Sequence, residues 1–192
     1  MAMHTELWFP SVIWSSIVNE IDNQELRKYA YDRRKVDKGR VISNFGGWQS
    51  SDILNGECSQ IDKLVGLLNT EMNSCAQQVG LNNLQIQNLW ININSTGTYN
   101  HLHHHVGSVF SGVYYVQAQE GNGNIQFERT DNAEYHIPMK VAKDTYFTST
   151  RATYASKTNA LYIFPSWLKH SVQGNAIKED RISISFNYGE VF

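Results

Sequence analysis

Apolar residues change their spacing once along this chain, near residue 83. Ahead of that point, Leu7–Val18 is a short run of Trp, Phe, Val and Ile with Pro10 near one end, which predicts a strand. Asn19 to Val36 predicts a helix capped by Asn19 or Asp22, and Lys38-Gly39 breaks it. Glu57 to Val79 is the longest predicted helix. Its Ile61, Leu64, Val65, Leu67, Leu68, Met72 and Val79 return at helical spacing, so one face is buried, and Gly80 ends it. From Leu84 the period becomes two: Leu84 to Asn94 alternates over much of its length like a half-buried strand. Further strands are predicted over Ser108–Gln117, Ile125–Phe127, Asn159–Phe164, His170–Gln173 and Arg181–Tyr188. Gly121-Asn122-Gly123-Asn124 forms a hairpin turn between two of them. Residues 128–153 are polar and weakly periodic, and read as an insertion or lid. Trp48, in the turn-rich stretch Val41–Gln49, reads as a packing residue.

Strands that follow helices, with no alternation of the two, predict a mainly β fold with packed helices. The architecture expected is a double-stranded β-helix, a cupin-like jelly roll, with two N-terminal helices buttressing one sheet. Residues 1–192 fit one domain: 1–83 supply the first strand and the helices, and 84–192 supply the β-helix core. Met1-Ala2 ahead of Met3 reads as an addition and is left out of this division.

Composition narrows the class. A chain with 41% hydrophobic residues can bury a core, and a formal charge of -2 leaves no electrostatic footprint for nucleic acid or an anionic membrane. The apolar start is too short and too mixed for a membrane span or a signal peptide. Cys58 and Cys75 fall in one predicted helix, about 25 Å apart at helical rise. They cannot bridge each other, which predicts a reducing, cytoplasmic setting. Exposed strand edges are compatible with a homodimer.

The candidate chemistry is concentrated in histidine. Four of the seven histidines fall within residues 101–105. In an extended segment His101, His103 and His105 share one face and His104 takes the other. Two imidazoles two residues apart can meet one metal ion, and His170 is the natural distant third ligand. The pair is either His101 with His103 or His103 with His105, and His103 belongs to both. Thiolates are absent from the stretch, no Gly-x-Ser-x-Gly elbow is present, and the only Gly-rich turn does not precede a helix.

Five stretches then resemble one family in order: His103-His104-His105; Ser111 to Val116; Gly123 to Phe127; Phe164 to His170; and Arg181 to Asn187. Together they resemble the 2-oxoglutarate- and Fe(II)-dependent oxygenases. The resemblance is to the bacterial and phage branch with a Ser-Gly-Val-Tyr-Tyr strand, with prolyl hydroxylases as more distant relatives. It covers roughly residues 88–190, and the Asn44–Gln49 loop shares it. The resemblance implies that His103 and His105 form the near pair and His170 the distal ligand of Fe(II), with three positions left open. His101 then falls behind the ligands. Arg181, eleven residues after His170, would grip the far carboxylate of 2-oxoglutarate, with Ser183 and Tyr115 adding hydroxyl contacts. Where the family has Asp or Glu, this chain has His105. Three neutral ligands leave the metal charge to be balanced by 2-oxoglutarate.

The implied activity is hydroxylation of a peptide or small-molecule substrate with release of succinate and CO2. Residues 128–158 and the Trp48 loop are placed to cover the mouth of the site. Two other classes fit parts of the pattern. Gly97, then five residues, then His103-x-His105 begins like a cupin signature, as a three-histidine dioxygenase or isomerase without 2-oxoglutarate would, but the following Glu is missing. A non-catalytic jelly roll with incidental metal binding is the third. Arg181 separates the first reading from the second, because only a 2-oxoglutarate enzyme needs a cation there.

Overall fold

A computed structural model describes residues 3–53 and 55–190; Met1, Ala2, Leu54, Val191 and Phe192 lie outside the described residues. In chain order the elements are β1 (Trp14–Ile17), α1 (Asn23–Val36), β2 (Asn44–Phe45), β3 (Trp48–Gln49), α2 (Ser59–Gln78), β4 (Gln85–Asn94), β5 (Tyr99–His103), β6 (Phe110–Gln117), β7 (Ile125–Glu128), β8 (Arg151–Tyr154), β9 (Ala160–Pro165), β10 (His170–Val172) and β11 (Arg181–Gly189). Two antiparallel sheets result, ordered β1-β9-β6-β11-β4-β3 and β2-β5-β10-β7-β8. This is the expected double-stranded β-helix with its two helices on the larger sheet.

Local chemistry sets the element ends. The Asp22 carboxylate accepts from the backbone N–H groups of Gln24 and Glu25, so the α1 cap falls at Asp22 rather than Asn19. At the end of α2, Gly80 takes a positive φ of 77°. The Gly80 N–H then reaches the Gln77 carbonyl and the Leu81 N–H reaches that of Ala76, which satisfies two carbonyls the helix leaves over. The first strand is shorter than its apolar run. Leu7, Trp8 and Phe9 are exposed, Phe9 has a φ of 57°, and pairing begins at Trp14, opposite Ile163. Pro10 has no N–H to offer a ladder. Within the stretch read as an insertion, β8 pairs with β7, and Ala133–Tyr135 makes one turn of 3-10 helix. Among the described residues none of 128–158 lines the cavity of the site, whereas Ser43 and Gln49 beside Trp48 do; Trp48 itself packs on the core with its indole N–H on the Asp37 carbonyl.

The alternation of β11 and β4 divides the larger sheet into two faces. Ile91, Ile93, Ile182, Ile184, Phe186 and Tyr188 pack against Leu26, Ile61, Leu64, Leu68 and Met72 of the helices. Each such side chain contributes about 1.5–3 kcal/mol on full burial. Tyr114 and Tyr188 reach from this face to Asn23 and Asn69 and so fix both helices by hydrogen bonds of 2.9 and 2.7 Å. A smaller apolar cluster, with Tyr115, Ile125, Phe127, Tyr162 and Phe164, fills one side between the sheets. Gly112 lets β6 lie close to its neighbours in the larger sheet: a Cβ there would strike the Phe186 ring of β11 and lie 2.7 Å from the Tyr162 carbonyl oxygen of β9. Among the described residues no helix is long and apolar enough to cross a membrane.

Candidate metal centre

A bulge in β5 decides which histidines meet. His103 lies opposite His170, and Asn100 lies opposite Val172. Two residues, His101 and Leu102, therefore face the single Ser171. The bulge interrupts the alternation, so Asn100 and His103 both line the cavity between the sheets. His101 is left on the outer surface, its ring 4.9 Å from that of Tyr99 and 6.0 Å from that of Phe45. The expectation that His101 shares a face with His103 and His105 fails at this bulge. His105 follows the end of β5, and its backbone N–H is bound to the Ser166 carbonyl at 2.9 Å.

The side chains of His103, His105 and His170 converge, with one nitrogen from each within 4.8 Å of the others. Their ring centroids lie 4.3 to 5.2 Å apart. In each ring Nδ1 is engaged from behind. His103 Nδ1 donates to the His101 carbonyl at 2.7 Å, and His170 Nδ1 to the Leu168 carbonyl at 3.0 Å. His105 Nδ1 meets Asn187 Oδ1 at 2.5 Å, with Ser111 Oγ 2.9 Å away. This leaves three Nε2 lone pairs free to face one point. Burial lowers the pKa of all three imidazoles: His103 falls to about 4, His105 falls, and His170 lies well below its ordinary value. At neutral pH they are uncharged and ready to ligate. His104, His4 and His136 are exposed and stand apart from the cluster.

Arg181, Ser183 and Tyr115 line the same cavity. Arg181 is 1% exposed. Its Nη1 donates to the carbonyls of Asn122 and Gln173 at 2.5 and 3.0 Å, so the predicted Gly-Asn-Gly turn supplies part of its cradle. Its Nη2 has no partner. Tyr115 lies beside Ser183 across the β6–β11 ladder, and burial raises the pKa of its phenol, which stays a donor. Its hydroxyl, near Ser156, makes no hydrogen bond of normal geometry.

Among the described residues, four buried side-chain atoms lack a partner: Asn92 Oδ1, Tyr115 Oη, Ser156 Oγ and Arg181 Nη2. Three of the four belong to residues lining this one cavity. Each unpaired buried group costs about 1–3 kcal/mol unless water or another group completes its bonding, so their gathering sets this cavity apart from the rest of the interior. Sequence reasoning did not single out Asn92, Ser156, or the Ser111 and Asn187 side chains behind His105. The latter two stood inside quoted motifs, as polar residues in otherwise apolar strands.

Residues 88–187 match a family described as "Putative 2OG-Fe(II) oxygenase", 2OG being 2-oxoglutarate. No curated protein matches the sequence. Solved structures match the fold over most of the chain. A prolyl-4-hydroxylase from Pseudomonas putida has a TM-score of 0.66 at 13% identity, over 95% of this chain and 94% of that one. The viral collagen prolyl hydroxylase of Paramecium Bursaria Chlorella virus-1, in its 2-oxoglutarate complex, has a TM-score of 0.63 at 12% identity, over 93% and 96%. HygX of Streptomyces hygroscopicus, with nickel and 2-oxoglutarate bound, has a TM-score of 0.64 at 8% identity, over 95% and 84%. At such identities these structures speak for the fold alone.

Proposed function

Because the chain belongs to the 2OG-Fe(II) oxygenase family, an enzyme class whose cofactors are Fe(II) and 2-oxoglutarate, we propose that His103, His105 and His170 hold the iron and that Arg181 holds 2-oxoglutarate. Tyr115 and Ser183 assist Arg181 at the far carboxylate. The reaction is hydroxylation of a C–H bond in a peptide or small-molecule substrate, with succinate and CO2 as by-products. Residues 1–192 act as one domain, since β1, β2 and β3 complete both sheets. A cytoplasmic site of action accords with the two free cysteines.

The residues fit these cofactors. Three imidazoles with Nδ1 occupied and Nε2 free are neutral nitrogen donors of the type Fe(II) accepts. The unpaired Nη2 of a buried guanidinium, with an unpaired phenol in the same cavity, is what a carboxylate requires. That unpaired cation is the single observation that carries the reading, because neither a cupin-type enzyme nor an incidental metal binder has a use for it. When bound, iron and 2-oxoglutarate together supply the activation of dioxygen. The chain's own part is to orient and to exclude water. Arg181 neutralises and aligns the dicarboxylate, Tyr115 donates a hydrogen bond to a carboxylate oxygen while keeping its proton, and the apolar cluster around Phe164 and Ile125 keeps bulk solvent from that end. The charge pattern of the chain gives nucleic acid no foothold.

The test is succinate release by purified protein given Fe(II), ascorbate and 2-oxoglutarate, together with calorimetric binding of 2-oxoglutarate to wild type and Arg181→Ala. The expected result is turnover in wild type and lost 2-oxoglutarate affinity in the variant. Unchanged affinity in Arg181→Ala would overturn the assignment.

A further inference from the structure

We infer that Asn187 is a positioning residue for His105, the imidazole that stands where a carboxylate is expected; this rests on the iron-binding reading above. The three candidate ligands are not held alike. His103 and His170 are each fixed by the backbone carbonyl two residues earlier, so their own strands orient them. His105 lies past the end of β5 and has no such local acceptor. Its Nδ1 is met by Asn187 Oδ1, from β11, 82 residues away in the chain.

That oxygen is aimed by its surroundings. Asn187 Nδ2 donates to Asn88 Oδ1 at 2.8 Å, which fixes the amide with its oxygen toward His105. Ser111 Oγ lies 2.7 Å from Asn187 Oδ1 and 2.7 Å from Ser166 Oγ, so a hydroxyl braces the amide from the side. Ser166 also supplies the carbonyl that binds the His105 backbone N–H. Asn187 is 7% exposed, and Ser111 and Ser166 are fully buried. A buried polar chain of this kind is costly unless every member is satisfied, and here its open end is the imidazole of His105. The amide oxygen can only accept, so it selects the Nδ1–H tautomer and leaves Nε2 as the lone pair facing the other two histidines. Without it the remaining partner of Nδ1 is Ser111 Oγ at 2.9 Å, a hydroxyl that can donate or accept and so does not select the tautomer. The cradle is uncharged throughout, so it supplies orientation without a compensating charge.

The test is titration of the full-length protein with Co(II) in the absence of 2-oxoglutarate, followed by visible absorption, with metal-free thermal unfolding as the control for folding. Asn187→Ala is expected to weaken Co(II) binding by about 10- to 100-fold and to change the ligand-field bands. Asn187→Asp keeps the acceptor oxygen, and the half-buried Asn88 can turn its amide so that Nδ2 donates to the second carboxylate oxygen, so this variant is expected to bind Co(II) at least as tightly as wild type. Wild-type affinity and spectrum in a folded Asn187→Ala overturn the inference. If Asn187→Ala does not fold, Asn187→Asp decides alone, and weaker binding than wild type overturns it. A wild type that binds no Co(II) removes the iron-binding reading and this inference with it, whereas a negative variant result leaves that reading standing.

Discussion

On β11, Ile182, Ile184, Phe186 and Tyr188 look toward the helices, while Arg181, Ser183 and Ser185 line the cavity and Asn187 meets His105. The helix-facing side is apolar, and the tyrosine hydroxyl it carries is bonded. The cavity side is polar, and the cavity holds unpaired polar atoms on β4, β6 and β11. One strand therefore does two jobs, separated by the period of two. Burial on one face stabilises the fold. On the other face, buried polar groups are left without a protein partner.

Acid should divide the two faces most sharply. The three cavity imidazoles have lowered pKa values, so the unfolded chain takes up protons near the ordinary histidine value of 6.5 while the folded chain resists, His103 until about 4 and His105 and His170 also to below their ordinary value. Stability is complete above pH 6.5 and is lost as pH falls through that window. With three groups acting together, the midpoint of metal-free thermal unfolding should drop steeply between pH 7 and pH 4. The double variant His103→Gln, His170→Gln should flatten the profile; an equal slope in both proteins would refute the cause. On the helix side, Phe186→Ala should cost about 3–5 kcal/mol in urea unfolding, with Co(II) affinity of the folded fraction retained. On the cavity side, Arg181→Leu should change stability little, because removing a buried cation with an unpaired N–H is offset by the Asn122 and Gln173 carbonyls left without their donor. It should still remove about 2–5 kcal/mol of 2-oxoglutarate binding, read by calorimetry. A large loss of stability would show that the two faces are not separable. The smallest effect expected is a coupling of about 1–3 kcal/mol between metal and 2-oxoglutarate, measured as Co(II) affinity with and without the dicarboxylate. Neutral ligands leave the dianion to balance the metal. His105→Asp should reduce that coupling, and equal coupling in both proteins would show that ligand charge is irrelevant.

The helix-facing side was legible in the sequence because periodicity is a local property. The spacing of Ile61, Leu64, Leu68 and Met72 gave α2 to within about two residues, and the alternation of β4 and β11 is plain. His103 and His170 were legible from the spacing of the histidines, whereas the choice of His105 over His101 and the addition of Arg181 came only through resemblance. Their convergence depends on pairing between strands remote in the chain. The bulge of β5 left no mark in composition, since His101 and Leu102 would serve equally in a regular strand. β8 was missed because an edge strand with alternating exposed and half-buried residues carries a weak pattern. Leu7 to Ile13 was read as strand because apolar content alone does not supply a hydrogen-bonding partner. Asn187 was out of reach for the same reason as the bulge: what an amide does depends on which atoms stand opposite it.

The extra residue in β5 also bears on how such a chain can vary in length. Removing Leu102 would leave His101 alone opposite Ser171 in a regular ladder, with Asn100 and His103 still side by side on the cavity face. Pairing that kept every residue but smoothed the bulge would instead put Asn100 and His103 on opposite faces, so the stretch tolerates a shorter count more readily than a straighter path.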